Sequence, residues 1–179
     1  MAARLSLPVA SQLYPGISSP SGSEREEMMQ SDHLVGFALD DLRFALPLAS
    51  VERVVHAAAI TPLPKAPDVI LGVINVQGRV VPIADIRKRF RLPARDIALG
   101  DHIVIVRTPN RPLALVADVV HGVMTWSGED NASLEQLVPG LEYVRGIVKT
   151  PDGLVLIHDL DRFLALDEEA SLQRAMAGD

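Results

Sequence analysis

The chain has 179 residues, a formal net charge of −6 and 48% apolar residues, enough for one domain core plus an extension. The acidic balance and an aromatic share of 4% argue against nucleic acid, since phosphates need cations and bases need rings to stack on. The lack of cysteine excludes disulfides and thiolate metal sites and fits a reducing compartment, and no window approaches the ~20 apolar residues of a membrane span.

Residues 1–31 read as a flexible extension. The punctuation in YPGISSPSGS prevents a regular element, and LSLPVAS is too short and proline-broken for a secretion signal. From His33 the pattern changes. Leu34–Leu39, a turn at Asp40-Asp41 and Leu42–Leu46 predict a hairpin. Ala49–Val55 is a short helical turn or an irregular strand start. Pro62, Pro64 and Pro67 then exclude a helix and a central strand, leaving an extended crossing loop.

Gly72–Phe90 (GVINVQGRVVPIADIRKRF) predicts strand, tight turn over Asn75-Val76-Gln77-Gly78, strand and helix start. The basic run Arg87-Lys88-Arg89 with Arg91 reads as the solvated, cationic end of that helix. His102–Arg107 and Leu113–Val116 predict a second hairpin around Thr108-Pro109-Asn110-Arg111. In Val119–Met124, Val120 and Val123 echo Val51 and Val54. Trp126–Leu141 is polar and turn-rich, with Trp126 itself a filler of core or groove. Tyr143–Lys149 and Leu154–Ile157 form a last hairpin, and a helix is expected from Asp159 or Asp161 to Met176, with 168–179 as its end and tail.

The order repeats. Gly72-Val73-Ile74 and Ile83-Ala84-Asp85-Ile86 answer to Gly146-Ile147-Val148 and Ile157-His158-Asp159-Leu160, 74 positions on. In both places the isoleucine follows the glycine by eleven positions. About five short β segments per half cannot cover their own apolar faces. The expected fold is therefore mostly β: two small five-stranded barrels pressed together, their interface a shared core and its rim a binding groove.

Asp85 and Asp159 each end a strand where a helix opens, so both are expected as N-caps. Gln77 is expected at an exposed loop tip, where a partner meets it. The histidines at 33, 56, 102, 121 and 158 form no HExxH pattern or i,i+4 pair. No GxSxG elbow and no glycine-rich phosphate loop occurs. No metal, cofactor or reaction is expected. The one rival enzyme reading is a small barrel using His158 with Asp159 or Asp161.

FALDDLRFALPL, then VERVV, then ITPLPKAPDVILGVINVQGRVVPIADIRKRF resembles the CheW-like domain of bacterial chemotaxis coupling proteins, over about Asp32–Asp167. Leu115-Val116-Ala117-Asp118-Val119-Val120 matches the second-half strand of that family with its V-D-x-V. The resemblance implies two SH3-like barrels around one apolar core. It also implies a cytoplasmic adaptor without enzymatic activity, recruited to the inner face of the membrane through receptor arrays. Its partners would be a chemoreceptor (methyl-accepting) cytoplasmic tip and the regulatory domain of a CheA-type histidine kinase, with no nucleic acid and no direct membrane insertion.

The receptor-facing groove and turn would be Val51, Arg53, Val54, Asn75, Gln77 and Gly78, with Gly72, Pro82, Asp85, Gly146 and Asp159 structural. Gln77 stands where the family usually carries arginine, and Arg53 where it carries an acidic residue. These departures point away from a standard chemoreceptor partner and fit a divergent pathway such as pilus motility or surface sensing. A detached kinase-regulatory module is the alternative within the family.

Overall fold

Alternating apolar strands dominate the computed structural model, which describes residues 32–126 and 141–178. The extension expected over 1–31 and most of the polar stretch after Trp126 lie outside the described residues. The strands are β1 (Asp32–Leu39), β2 (Leu42–Pro47), β3 (Val51–His56), β4 (Ile70–Val76), β5 (Arg79–Ala84), β6 (His102–Arg107), β7 (Pro112–Ala117), β8 (Val119–Trp126), β9 (Val144–Thr150) and β10 (Gly153–His158). Two α-helices accompany them among the described residues, α1 (Ile86–Arg89) and α2 (Leu166–Ala177).

The strands form two five-stranded sheets, one in the order β8-β1-β2-β10-β9 and the other in the order β3-β6-β7-β5-β4. The fold class matches the expectation, but the division into halves needs correction. Along the chain, β1–β5 and β6–β10 repeat the same order of hairpin, single strand, hairpin. In space each sheet takes the first hairpin of one repeat and the last three strands of the other. β2 runs parallel to β10, with Leu156 opposite Phe44, and β7 runs parallel to β5, with Ala84 opposite Leu115. β1 pairs with β8 and β6 with β3, both antiparallel. Every one of these seams joins the two repeats, so neither repeat completes a sheet alone.

The eleven-position spacing is the register of the matching hairpins. Gly72 lies opposite Ile83, and Gly146 opposite Ile157. Gly72 also admits a close crossing. Thr61 exchanges two backbone hydrogen bonds with Val73, at 2.9 and 2.8 Å. A Cβ on Gly72 would meet the Thr61 carbonyl oxygen at 2.3 Å, and its φ of +148° is one that side chains disfavour. Pro82 is buried in β5, where pairing with β7 begins only at Ile83, so its missing N–H leaves no gap in that ladder.

The exchanged hairpins are buried on both faces, which is why their strands read as continuous apolar runs. Phe37, Phe44, Leu46, Val104, Val106 and Leu115 point into a core shared by both sheets, together with Ile86, Phe90, Phe163 and Leu172. The alternate residues Ile103, Ile105, Ala114 and Val116 fill a separate cluster on the far side of the β3–β7 sheet. Ala45, Val155 and Ile157 do the same for the other sheet, where Trp126 packs as a filler.

Charge ties the exchange together. Arg87, only 4% exposed, reaches from α1 to the β1–β2 turn and donates to both carboxylate oxygens of Asp40, at 2.6 and 3.0 Å. The same guanidinium donates to Asp118, at the β7–β8 junction, at 2.6 Å. Arg95 also binds Asp118, and Asp101 at 2.9 Å. Lys88 donates to the Asp68 carbonyl; Arg89 pairs with Glu168 and lies 4.9 Å over the ring of Tyr143. The expectation of a solvated basic run is therefore wrong for Arg87 and Arg89, whose charges are spent inside the fold.

The last helix also starts later than expected. Phe163 is fully buried in the shared core, and a turn from Asp159 to Ala165 carries it there. Asp159 caps that turn by accepting the Asp161 N–H at 3.0 Å. Glu168 accepts the Ala165 N–H at 2.9 Å and starts α2 at Leu166.

Three substitutions test these constraints. Gly72→Ala forces Cβ against the Thr61 backbone and should destabilise the domain by about 2–4 kcal/mol in urea unfolding. Gly78→Ala, at a φ of +84° with open space around it, should cost about 1 kcal/mol. Arg87→Ala leaves Asp118 with Arg95 alone and Asp40 without its forked partner, and should cost about 2 kcal/mol, measured the same way.

Candidate functional site

β3 is an edge strand of its sheet, and a bulge shapes it. Val51 lies opposite Val106 and Arg53 opposite Ile105, so Glu52 is the extra residue between them. The bulge turns the Glu52 carboxylate toward Arg79, which donates to it at 2.9 Å. Arg79 is the first residue of β5, immediately after the β4–β5 turn. The structure thus brings the start of β3 against that turn.

The turn itself sits one residue later than expected. Its central residues are Gln77 and Gly78, with φ of +52° and +84°. Both angles are positive, the backbone of a tight two-residue hairpin. Asn75 belongs to β4, and its side chain accepts the Gly78 N–H at 2.8 Å. That bond holds Gln77 at the exposed tip in a conformation unusual for a residue with a side chain.

Val51, Glu52, Arg53, Val76, Arg79, Ile105 and Arg107 line a cleft of about 360 Å³. Its exposed lining is strongly charged, with Val76 and Ile105 buried behind it. Val54 is not among the lining residues. It pairs with Val104, a member of the shared core, and is 38% exposed. The strand therefore presents a charged cleft at Arg53 and an apolar face at Val54, whereas the sequence placed both in one groove.

Val51 and Val120 both pack, partly buried, on the shared core. On β8, Val119 and Val123 are 47% and 59% exposed. β8 is the edge of the other sheet, and its Val120 and Val123 repeat there the three-residue spacing of Val51 and Val54.

The structural residues fall as expected at Asp85, which is buried and accepts the Arg87 N–H at 3.0 Å. His158 and Asp159 form a packed corner. The His158 ring is 1% exposed, 5.7 Å from Phe90 and 5.3 Å from Phe163, and neither nitrogen has a hydrogen-bond partner. A ring so enclosed offers no approach to a substrate.

Comparison with known proteins places the same residues in one family description. The CheW-like domain matches residues 33–168. The chemotaxis protein CheW of Treponema pallidum is 26% identical over 141 residues, spanning 75% of this chain and 83% of that protein. CheW of Rhizobium meliloti is 26% identical over 137 residues, spanning 75% and 88%. Protein FrzA of Myxococcus xanthus is 31% identical over 87 residues, spanning 49% and 54%. The crystal structure of the scaffolding protein TtCheW from Thermoanaerobacter tengcongensis aligns with a TM-score of 0.70 at 28% identity, covering 76% of this chain and 90% of that one.

The enclosed corner sets an acid limit on the fold. Burial pushes the His158 ring down to about 4 from its ordinary 6.5, outweighing the nearby Asp159 carboxylate. The folded state thus favours the neutral ring. Its contribution is complete above pH 6.5 and is lost as pH falls toward 4, because the unfolded chain takes up the proton first. Between pH 7 and 4.5 the domain should lose about 2–3 kcal/mol from this ring. His158→Phe should flatten that part of the stability profile, measured by urea unfolding at each pH.

Proposed function

The chain belongs to the CheW-like domain family, and we propose that it works by binding alone, as an adaptor coupling a chemoreceptor-type sensor to a CheA-type histidine kinase. The observation that carries this reading is the pair of exposed valine strands at the rim of a core shared by two similar sheets. Partly buried Val51 and Val120 anchor those strands, and exposed Val54 and Val123 offer apolar area that the chain itself does not cover. An apolar strip of this kind suits the packed face of a helical receptor tip. The turn at Asn75, Gln77 and Gly78 and the side chain of Arg53 supply polar contacts beside it.

The kinase would be met elsewhere. Its regulatory subdomains are expected to have the same barrel shape, so the ends and edges of the two sheets are the matching surfaces. Like shapes docking head to tail build rings or filaments. No helix among the described residues is long and apolar enough to cross a membrane. The adaptor would act in the cytoplasm and reach the membrane only through its receptor. Nothing in this mechanism uses a cofactor or a covalent step; the output is proximity between sensor and kinase.

Desolvating a valine face contributes more than one rim charge, since exposed ion pairs are each worth about 1 kcal/mol or less. Val54→Asp should therefore weaken binding of the cognate receptor tip at least about tenfold, and Val123→Asp should act in the same direction. Arg53→Ala alone should change it by no more than about threefold. Calorimetric titration with the cytoplasmic hairpins of the receptors encoded in the same genome measures all three. Equal affinities across the set would remove the groove assignment.

A further inference from the structure

We propose that the cleft between β3, β6 and the β4–β5 turn receives a glutamate side chain of the protein partner. The inference rests on the adaptor reading above and names the chemistry of one of its contacts.

Three guanidinium groups surround this cleft, those of Arg53, Arg79 and Arg107, against the single carboxylate of Glu52. That carboxylate is already engaged by Arg79 at 2.9 Å. Arg107 donates to the carbonyl of Ala49 at 2.6 Å, which orients the side chain without neutralising it. Among the described residues no carboxylate pairs with Arg53 or Arg107. The cleft therefore carries two uncompensated positive charges on a chain whose net charge is −6. Arg87, Arg89, Arg95 and Arg111 have carboxylate partners inside the fold. What sets Arg53 and Arg107 apart from the other arginines without one is that they line the same cleft.

The register explains why the charges converge. Arg53 lies opposite Ile105, and Arg107 follows two residues later on the same face of β6. Two guanidiniums on neighbouring strands repel one another unless an anion sits between them. A planar guanidinium favours a carboxylate or phosphate, which it binds through paired N–H groups.

The adaptor reading decides between the two anions. A protein partner brings carboxylates rather than phosphates, and a glutamate, with two methylenes, reaches further from its backbone into a cleft backed by the buried Val76 and Ile105 than an aspartate does. A free phosphate is the other outcome of the test. The adjoining Gln77 tip is exposed.

The test uses the full chain, the Arg53→Glu/Arg107→Glu double variant, the milder Arg53→Gln/Arg107→Gln variant and Val54→Asp. Each is titrated with the receptor cytoplasmic hairpins and the kinase regulatory domain encoded in the same genome, in about 50 and 500 mM salt. The double reversal should weaken at least one partner about tenfold or more at low salt, with the glutamine variant intermediate. The loss should shrink at high salt. Wild-type affinity for every partner in both arginine variants overturns the proposal, and the adaptor reading still stands if Val54→Asp has lost binding. Should Val54→Asp also bind normally, the adaptor groove fails as well.

If the reversal variant is poorly folded by circular dichroism, the wild type decides: affinity insensitive to salt for every partner overturns the proposal. Titration of labelled protein with inorganic phosphate gives a further arm. Phosphate shifts at Arg53 and Arg107 that vanish in the glutamine variant while partner affinity is unchanged would make this a free-anion site, and the proposal false.

Discussion

The fold depends on an exchange. Two sequence repeats each contain a hairpin that is apolar on both faces, and such a hairpin has to be covered twice. Its own repeat covers neither side completely. Lending β1–β2 to one sheet and β6–β7 to the other puts each hairpin between a sheet's private cluster and the shared core. The two parallel seams, β2 with β10 and β5 with β7, join strands that lie far apart in sequence. The exchanged hairpins must therefore be in place together for either sheet to complete itself. The rim proposed as a binding surface is a by-product of this arrangement, since it is the exposed edge of the shared core.

The Arg87 cluster makes sense in that light. A buried ion pair is a poor source of net stability, because removing charges from water offsets most of the attraction between them. Its geometry, however, is demanding. Arg87 reaches a turn at Asp40 and a junction at Asp118, 47 and 31 positions away, in one guanidinium plane. Hydrophobic clusters tolerate a slip or a wrong partner better than a forked hydrogen-bond set does. The cluster therefore specifies which hairpin meets which sheet, with the apolar core supplying the energy.

The sequence carried the local part of this plan and little of the rest. The strands, the hairpins and the repeat were legible because alternation and the glycine-to-isoleucine spacing are local and are fixed by register. The exchange was not legible. A repeat looks the same in one dimension whether its copies fold separately or trade hairpins. The Arg87 run misled for a related reason, as charge pattern along a short helix says nothing about distant carboxylates. The late start of α2 escaped because Phe163 interrupts the turn to reach the core, a tertiary demand that overrode the capping signal at Asp159. At the candidate site, Val51, Arg53 and Val54 could be placed on one short segment, but the Glu52 bulge was invisible. The bulge puts Val51 and Val54 on the shared-core face and leaves Arg53 on the other, which splits the single groove that the sequence suggested.

Duplication gives an adaptor a difficulty as well as a scaffold. Two equivalent sheets offer two equivalent edges, and a protein that must tell a sensor from a kinase cannot present the same surface twice. Here β3 and β8 correspond, with Val51 and Val54 answering to Val120 and Val123. The residues between them differ: Glu52 and Arg53 stand where β8 has His121 and Gly122. Arg79, at the opening of β5, answers to Gly153 at the opening of β10. Two of the three arginines around the cleft thus have glycine as their counterpart. The apolar contacts are kept in both copies and the charge in only one. Such a pattern preserves a common docking shape and adds a polar discriminator to one edge, which sets orientation through charge while burial supplies affinity.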